Sequence, residues 1–191
     1  MRRTAGDSRR KTSSGNIERA LESPGAGVLI CIAIGVLAVG IDATFHLPLG
    51  LPGHRGLTLM ALLVSARCVT HRPWAATLAA SSAAVAAATP ALGLTSLAPW
   101  LYLLSGLVVD GLCLGPHAWC GSVWFVTVAA GLGNGAKAIA LRLMGDVAAG
   151  HGVWQAHGFA FSLLSHLAFG CLGGLIAAQL WSTTRTRPRT E

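Results

Sequence analysis

Charge is what this chain has least of. Only 11% of its 191 residues are charged, against 53% apolar, and the mean hydropathy is +0.60. A soluble domain carries about 25% charged residues, so the composition excludes an ordinary soluble fold and predicts an integral membrane protein. No Gly-x-x-x-x-Gly-Lys-Ser/Thr segment is present, so the chain lacks the phosphate loop of a nucleotide-hydrolysing module. The five cysteines, at positions 31, 68, 113, 120 and 171, form no Cys-x-x-Cys pair. They lie within or beside apolar stretches, where they read as small packing residues and not as a disulfide framework. Cys68 stands apart because the adjacent Arg67 favours a thiolate. A secretory leader is not expected, because the first apolar stretch starts late, is long, and has no small-x-small cleavage pattern. Repeats of fixed period are absent.

What remains is six apolar stretches, at 25–44, 57–70, 74–90, 98–115, 120–143 and 158–181. About 20 apolar residues cross the hydrocarbon core as a helix, and shorter ones suffice when tilted or shielded. Lipid offers no hydrogen-bonding partner, so every spanning backbone must satisfy itself as a helix. The expected fold is therefore all-α, a polytopic membrane protein built as a bundle of six transmembrane helices. Residues 25–182 would form that domain, flanked by a disordered basic tail over 1–24 and a second basic tail over 183–191. The tight link from Thr70 to Pro73 predicts a helical hairpin. Runs of small residues such as 79–88 allow helices to approach closely.

The few charges are segregated. Arg2, Arg3, Arg9, Arg10, Lys11 and Arg19 crowd the first tail, Arg185, Arg187 and Arg189 the last, and Arg67 and Arg72 flank the hairpin link. The positive-inside rule then places both termini and that link in the cytoplasm, with the chain in the cytoplasmic (inner) membrane. Orientation and anionic membrane lipid account for the net charge of +7, and no nucleic-acid partner is implied. Trp74, Trp100, Trp119, Trp124, Trp154 and Trp181 fall near predicted span ends, as an aromatic belt would.

On this topology most polar residues within or near the spans gather on the outer side. The first external loop, 45–56, is rich in Pro and Gly and carries His46, His54 and Arg55. Trp100, Tyr102 and Ser105 lie in the outer half of the fourth helix. Asn134, Lys137 and Arg142 lie toward the outer end of the fifth. Asp146, His151, Trp154, Gln155 and His157 are placed in the third external loop, and His166 in the outer half of the sixth helix. Ionisable residues inside a membrane are costly and are functional candidates by default. Asn134 and Lys137 are three apart and share a face. Arg142 is about 140° round the helix from Lys137, and its simplest role is to snorkel to the headgroups. Asp110, in the inner half of the fourth helix, is expected to be a buried partner for a neighbouring hydroxyl or cation. Gly131-Leu132-Gly133-Asn134-Gly135 is expected to serve close helix packing. A transition metal would need three or four of the histidines to converge, and the sequence leaves the metal question open.

The stretch Leu47–Ala88, through Leu51-Pro52-Gly53-His54-Arg55-Gly56-Leu57-Thr58-Leu59-Met60-Ala61-Leu62-Leu63 and then Arg72-Pro73-Trp74-Ala75-Ala76-Thr77-Leu78-Ala79, resembles the substrate-binding (S) components of energy-coupling factor vitamin transporters. Pro99-Trp100-Leu101-Tyr102-Leu103-Leu104-Ser105-Gly106-Leu107 and Phe169-Gly170-Cys171-Leu172-Gly173-Gly174-Leu175 extend the likeness over most of the membrane region. The resemblance implies six helices and capture of a vitamin, micronutrient or metal chelate for uptake. It also implies energy from a separate ATPase module reached through a transmembrane coupling subunit, with no catalysis and no cofactor in this chain. Arg55, His54, Trp100, Tyr102, Asn134, Lys137, Arg142 and His166 are the candidate substrate-binding residues. Two departures stand out. Ala33-Ile34-Gly35-Val36-Leu37-Ala38 lacks the clean Ala-xxx-Ala coupling motif, and Met1-Arg2-Arg3 lacks the Met-His start of the nickel and cobalt members. Solitary members handling cobalamin give a variant reading, with Cys68 or a histidine as metal ligand.

A rival reading is enzymatic. Ser105-Gly106 and His166, followed by Gly170 and Gly174, resemble the Ser and His of six-helix rhomboid intramembrane proteases, in which a hydroxyl beside an imidazole carries out acyl transfer. Leu103 replaces the Gly that opens the Gly-x-Ser-Gly turn of that family, and Thr58 replaces the Asn of its His-xxx-Asn pattern. Hydroxyls in apolar helices commonly bond to their own backbone instead.

Overall fold

The computed structural model describes residues 23–44, 51–89, 98–114, 122–144 and 151–185, the side chains of 24, 98, 151–157, 184 and 185 excepted. These residues form six helices and, among the described residues, no strand: α1 Pro24–Thr44, α2 Arg55–Thr70, α3 Ala75–Ala87, α4 Ala98–Leu112, α5 Val123–Leu143 and α6 His151–Arg185. The helices sit where the apolar stretches predicted them, with shifted ends. Residues 151–157, expected in an external loop, are helical instead. Gly158, with φ 71° and ψ 163°, then breaks the backbone before the long span. A side chain at such a φ would clash, and glycine alone takes it without cost. The last helix runs to Arg185, so 183–185, expected in the second basic tail, are helical, while His46, Asp146, residues 1–22 and residues 186–191 lie outside the described residues.

Three helices are long and apolar enough to cross a membrane: Gly25–Thr44, Val123–Leu143 and Gly158–Thr183. Their outward faces support that reading. On α5 the exposed residues Trp124, Val128, Leu132, Ile139 and Leu143 fall four or seven positions apart, on one helix face, while the buried face holds Ala, Gly, Thr127, Asn134 and Lys137. A water-soluble helix has the opposite pattern. Leu164, Leu172, Ile176 and Leu180 repeat the arrangement on α6, and Leu29, Val36 and Leu37 on α1. Small interior residues with large apolar ones outside are what a helix packed among neighbours in lipid requires. Trp74, Trp100 and Trp124 are exposed, which suits the belt role.

Contacts between the helices run α1–α3–α4–α5–α6–α2 and back to α1, and α2 also touches α3 and α5. Small residues set the approach distances. A Cβ added at Gly133 would meet Val109 and Ser105 of α4 at 3.0–3.1 Å, and one at Gly131 would collide with Cys171 of α6. The Gly131–Gly135 segment therefore packs α5 against both neighbours, as the sequence suggested.

The α2–α3 hairpin is closed by a buried ion pair. Asp110 of α4, 0% exposed, accepts from Arg67 Nη1 at 2.5 Å and from the backbone N–H of Thr77 at 2.6 Å. Thr77 is the third residue of α3, so its N–H has no intrahelical acceptor. Trp74, at the cap position, supplies no side-chain bond. Asp110 thus caps α3 from a neighbouring helix, with its negative charge at the favourable end of the α3 dipole. Arg67 also donates to the carbonyls of Pro73 (2.9 Å) and Cys113 (3.1 Å). His71 ends α2 at φ 53°, and its ring meets Trp181 edge-on at 5.5 Å.

Candidate functional site

At the opposite end the ends of α1 and α2 and the polar parts of α4, α5 and α6 converge. The approach to α2 is a turn, Pro52-Gly53-His54, laid directly on α6. Gly53 has φ 80°, and a Cβ there would strike the ring and Cα of His166 at 2.7–2.9 Å. Ser165 Oγ donates to the Pro52 carbonyl at 2.6 Å. Asn134 of α5 completes the seam. Its Nδ2 donates to the His166 carbonyl at 2.7 Å and reaches the Gly53 carbonyl at 3.4 Å, and its amide fills the space where a Cβ on Gly56 would stand. One buried amide therefore ties three chain segments together.

One helical turn along α5, Lys137 is 9% exposed. Its ammonium lies 5.5 Å from the centroid of the Tyr102 ring, an arrangement that contributes about 0.5–2 kcal/mol. Among the described residues it makes no ion pair. The Tyr102 hydroxyl donates to Asp42 Oδ2 at 2.6 Å, and Arg55 Nε stands 3.7 Å from Asp42 Oδ1. Asp42 is in the last turn of α1 and Arg55 is the first residue of α2. Each charge has the sign its helix terminus disfavours, at about 0.3–1 kcal/mol apiece. Such local conflicts concentrate at functional sites.

The histidines are held by backbone. His166 Nδ1–H donates to the Ser162 carbonyl at 2.8 Å, leaving Nε2 as the free ring nitrogen, and His54 Nδ1–H donates to the Leu51 carbonyl at 2.6 Å. Two buried oxygens near this seam, Asn134 Oδ1 and Ser162 Oγ, have no hydrogen-bond partner among the described residues. A satisfied interior leaves few such atoms.

Of the residues nominated from sequence, Tyr102, Asn134, Lys137, His166, His54 and Arg55 belong to this region. Trp100 does not: it is 63% exposed on the outside of α4. Arg142 is exposed in the last turn of α5, consistent with a headgroup anchor. The side chains of His151, Trp154, Gln155 and His157 lie outside the described residues. Asp42 was missed as a site residue because it reads as the polar end of an apolar span. Its signal was its isolation, since only Asp42, Asp110 and Asp146 supply carboxylates between residues 25 and 181.

Ser105 and His166 make separate bonds. Ser105 Oγ donates to the Leu101 carbonyl at 2.9 Å, one turn back in its own helix, and His166 is likewise bonded within α6. Among the described residues no group of three or more His, Cys, Asp or Glu is placed to hold a metal ion. Comparison with protein-family models, curated proteins and solved structures returns no match.

Chemically, the arrangement offers a desolvated cation with an aromatic ring beneath it, a second cation at the rim, and a carboxylate already engaged by Tyr102 and Arg55. Desolvated cations bind anionic oxygens strongly.

Proposed function

We propose that this chain is a membrane-embedded substrate-binding subunit for uptake of a small molecule, a vitamin, micronutrient or chelate. Six helices cross the cytoplasmic membrane, with both termini inside, and a separate ATPase module supplies the energy, reached through a coupling subunit. The observation that carries this reading is Lys137, nine-tenths buried and in no ion pair among the described residues, with the Asp42 carboxylate acting on it only from beyond ion-pair distance. An ion of this kind costs several kcal/mol to bury. It is retained where a ligand completes it. Resemblance of the 51–79 segment to the energy-coupling factor S components supports the same conclusion, as does the seating of the Pro52–His54 turn across α6 at the site.

The polar cluster lies opposite the Arg67–Asp110 clasp, and the basic tails with Arg67 and Arg72 support a cytoplasmic position for the clasp. The site then opens outward, where a nutrient arrives. The intrahelical bonds of Ser105 and His166 favour binding over hydroxyl activation. The test is uptake of a radiolabelled nutrient panel by cells expressing the chain with and without candidate ATPase and coupling subunits. Accumulation that requires both the chain and an ATPase supports the proposal. Cleavage of a membrane substrate that depends on Ser105 and His166 would replace it with the protease reading.

A further inference from the structure

The charges around the site restrict what can occupy it. Lys137 and Arg55 each contribute one positive charge and Asp42 one negative charge, while Asp110 is spent on Arg67 at the far end. Over the Lys, Arg and Asp side chains of the site the sum is one positive charge, and the cation that makes no ion pair among the described residues is the buried Lys137. Low-dielectric surroundings penalise any net charge left after binding. A singly charged anion neutralises the site, a neutral ligand leaves Lys137 unpaired, and a dianion faces Asp42 with one charge in excess.

The unpartnered oxygens add a second requirement. Asn134 Oδ1 can only accept, and it is buried with no donor among the described residues, three residues from Lys137 on the same face of α5. Ser162 Oγ is buried and unpartnered as well. A ligand N–H or O–H would satisfy the amide oxygen while an anionic oxygen accepts from Lys137. Building on the binding function proposed above, we infer that the substrate is a monocarboxylate bearing an amino, amide or hydroxyl donor, and that Asp42 sets the preference for one negative charge over two. Arg55 sits at the rim, its side chain 48% exposed, where it attracts the anion. Tyr102 holds Asp42 in place by its 2.6 Å bond.

The experiment uses the purified full chain in nanodiscs. Small molecules extracted from the expressing cells are separated on an anion exchanger into neutral, singly charged and multiply charged fractions, and thermal unfolding is followed in each. Stabilisation by the singly charged fraction alone is expected, lost when that fraction is methyl-esterified. Lys137→Met should weaken the response about tenfold or more. Asp42→Asn adds one positive charge to the site and should move the preference to the multiply charged fraction. Arg55→Gln, at an exposed rim position, should move it the other way, and covers the case in which Asp42→Asn does not fold. Stabilisation by only the neutral or multiply charged fraction would overturn this inference and leave the binding function standing. Unchanged charge preference in both variants would overturn the role of Asp42. Should no fraction stabilise the parent chain, the binding function itself falls, and this inference with it.

Discussion

Replacing Asp110 with Asn should lower the melting temperature of the purified protein by about 6–12 °C. The side chain keeps its volume, and the Asn carbonyl can still accept the Thr77 N–H that Asp110 now takes at 2.6 Å. What disappears is the charge facing Arg67 at 2.5 Å, with Asp110 fully buried and the Arg67 side chain 13% exposed. Removing one partner of a buried pair costs about 3–5 kcal/mol. Arg67 keeps two carbonyl acceptors, Pro73 and Cys113, so the lower figure applies. At about 2–4 °C per kcal/mol for a chain of this size, 3 kcal/mol gives the stated shift. Arg67→Met should be worse, because it strands a fully buried carboxylate with no other ion-pair partner among the described residues. The double variant should lose less than the sum of the two, since neither ion is then left alone. The assay is thermal unfolding in one detergent and one lipid mixture throughout. A melting temperature for Asp110→Asn within about 1 °C of the parent, or strict additivity of the two changes, would refute the clasp.

Other consequences are as specific. Gly56→Ala pushes a methyl into the Asn134 amide and should cost about 1–3 kcal/mol by overpacking, with loss of small-molecule binding. Tyr102→Phe removes a bond to a carboxylate and should cost about 1.5–3 kcal/mol, read as reduced thermal stability and weakened binding together. Ser105→Ala removes only a hydroxyl bonded to its own helix and should leave binding intact with a change in stability of roughly 1 kcal/mol or less, checked by thermal unfolding and ligand titration. Cysteines introduced at Ser8 and Thr190 should resist a membrane-impermeant thiol reagent in intact cells and react once the cells are opened. Labelling from outside would reverse the topology and with it the direction in which the site opens.

Much of the architecture could be read from the chain because lipid leaves a backbone so few choices. Each apolar stretch became a helix, and the shortest, around the Thr70–Pro73 link, became the hairpin closed by Asp110. The Asn134–Lys137 face was legible from spacing alone, since residues three apart share a helix side. Depth and partnership were less accessible. Trp100 and Arg142 carry side chains of the right chemistry on the wrong face, and only the packing of α4 and α5 separates them from Tyr102 and Lys137. Asp42 was hidden for a different reason. A polar residue at the end of a span reads as a boundary, and its bond to Tyr102 joins positions 60 residues apart. Residues 151–157 carry polar and aromatic side chains suited to a loop, yet they are helical up to Gly158, whose positive φ made a break possible without a proline.

The central claim is that Lys137 is buried to meet a ligand. Its most direct test is native mass spectrometry of the full chain, released from nanodiscs after purification from its own membranes, compared with Lys137→Met prepared alongside. The account predicts a small molecule bound to the parent protein and absent from a folded Lys137→Met. Equal occupancy in both proteins, or a parent that carries and accepts no small molecule, would contradict it.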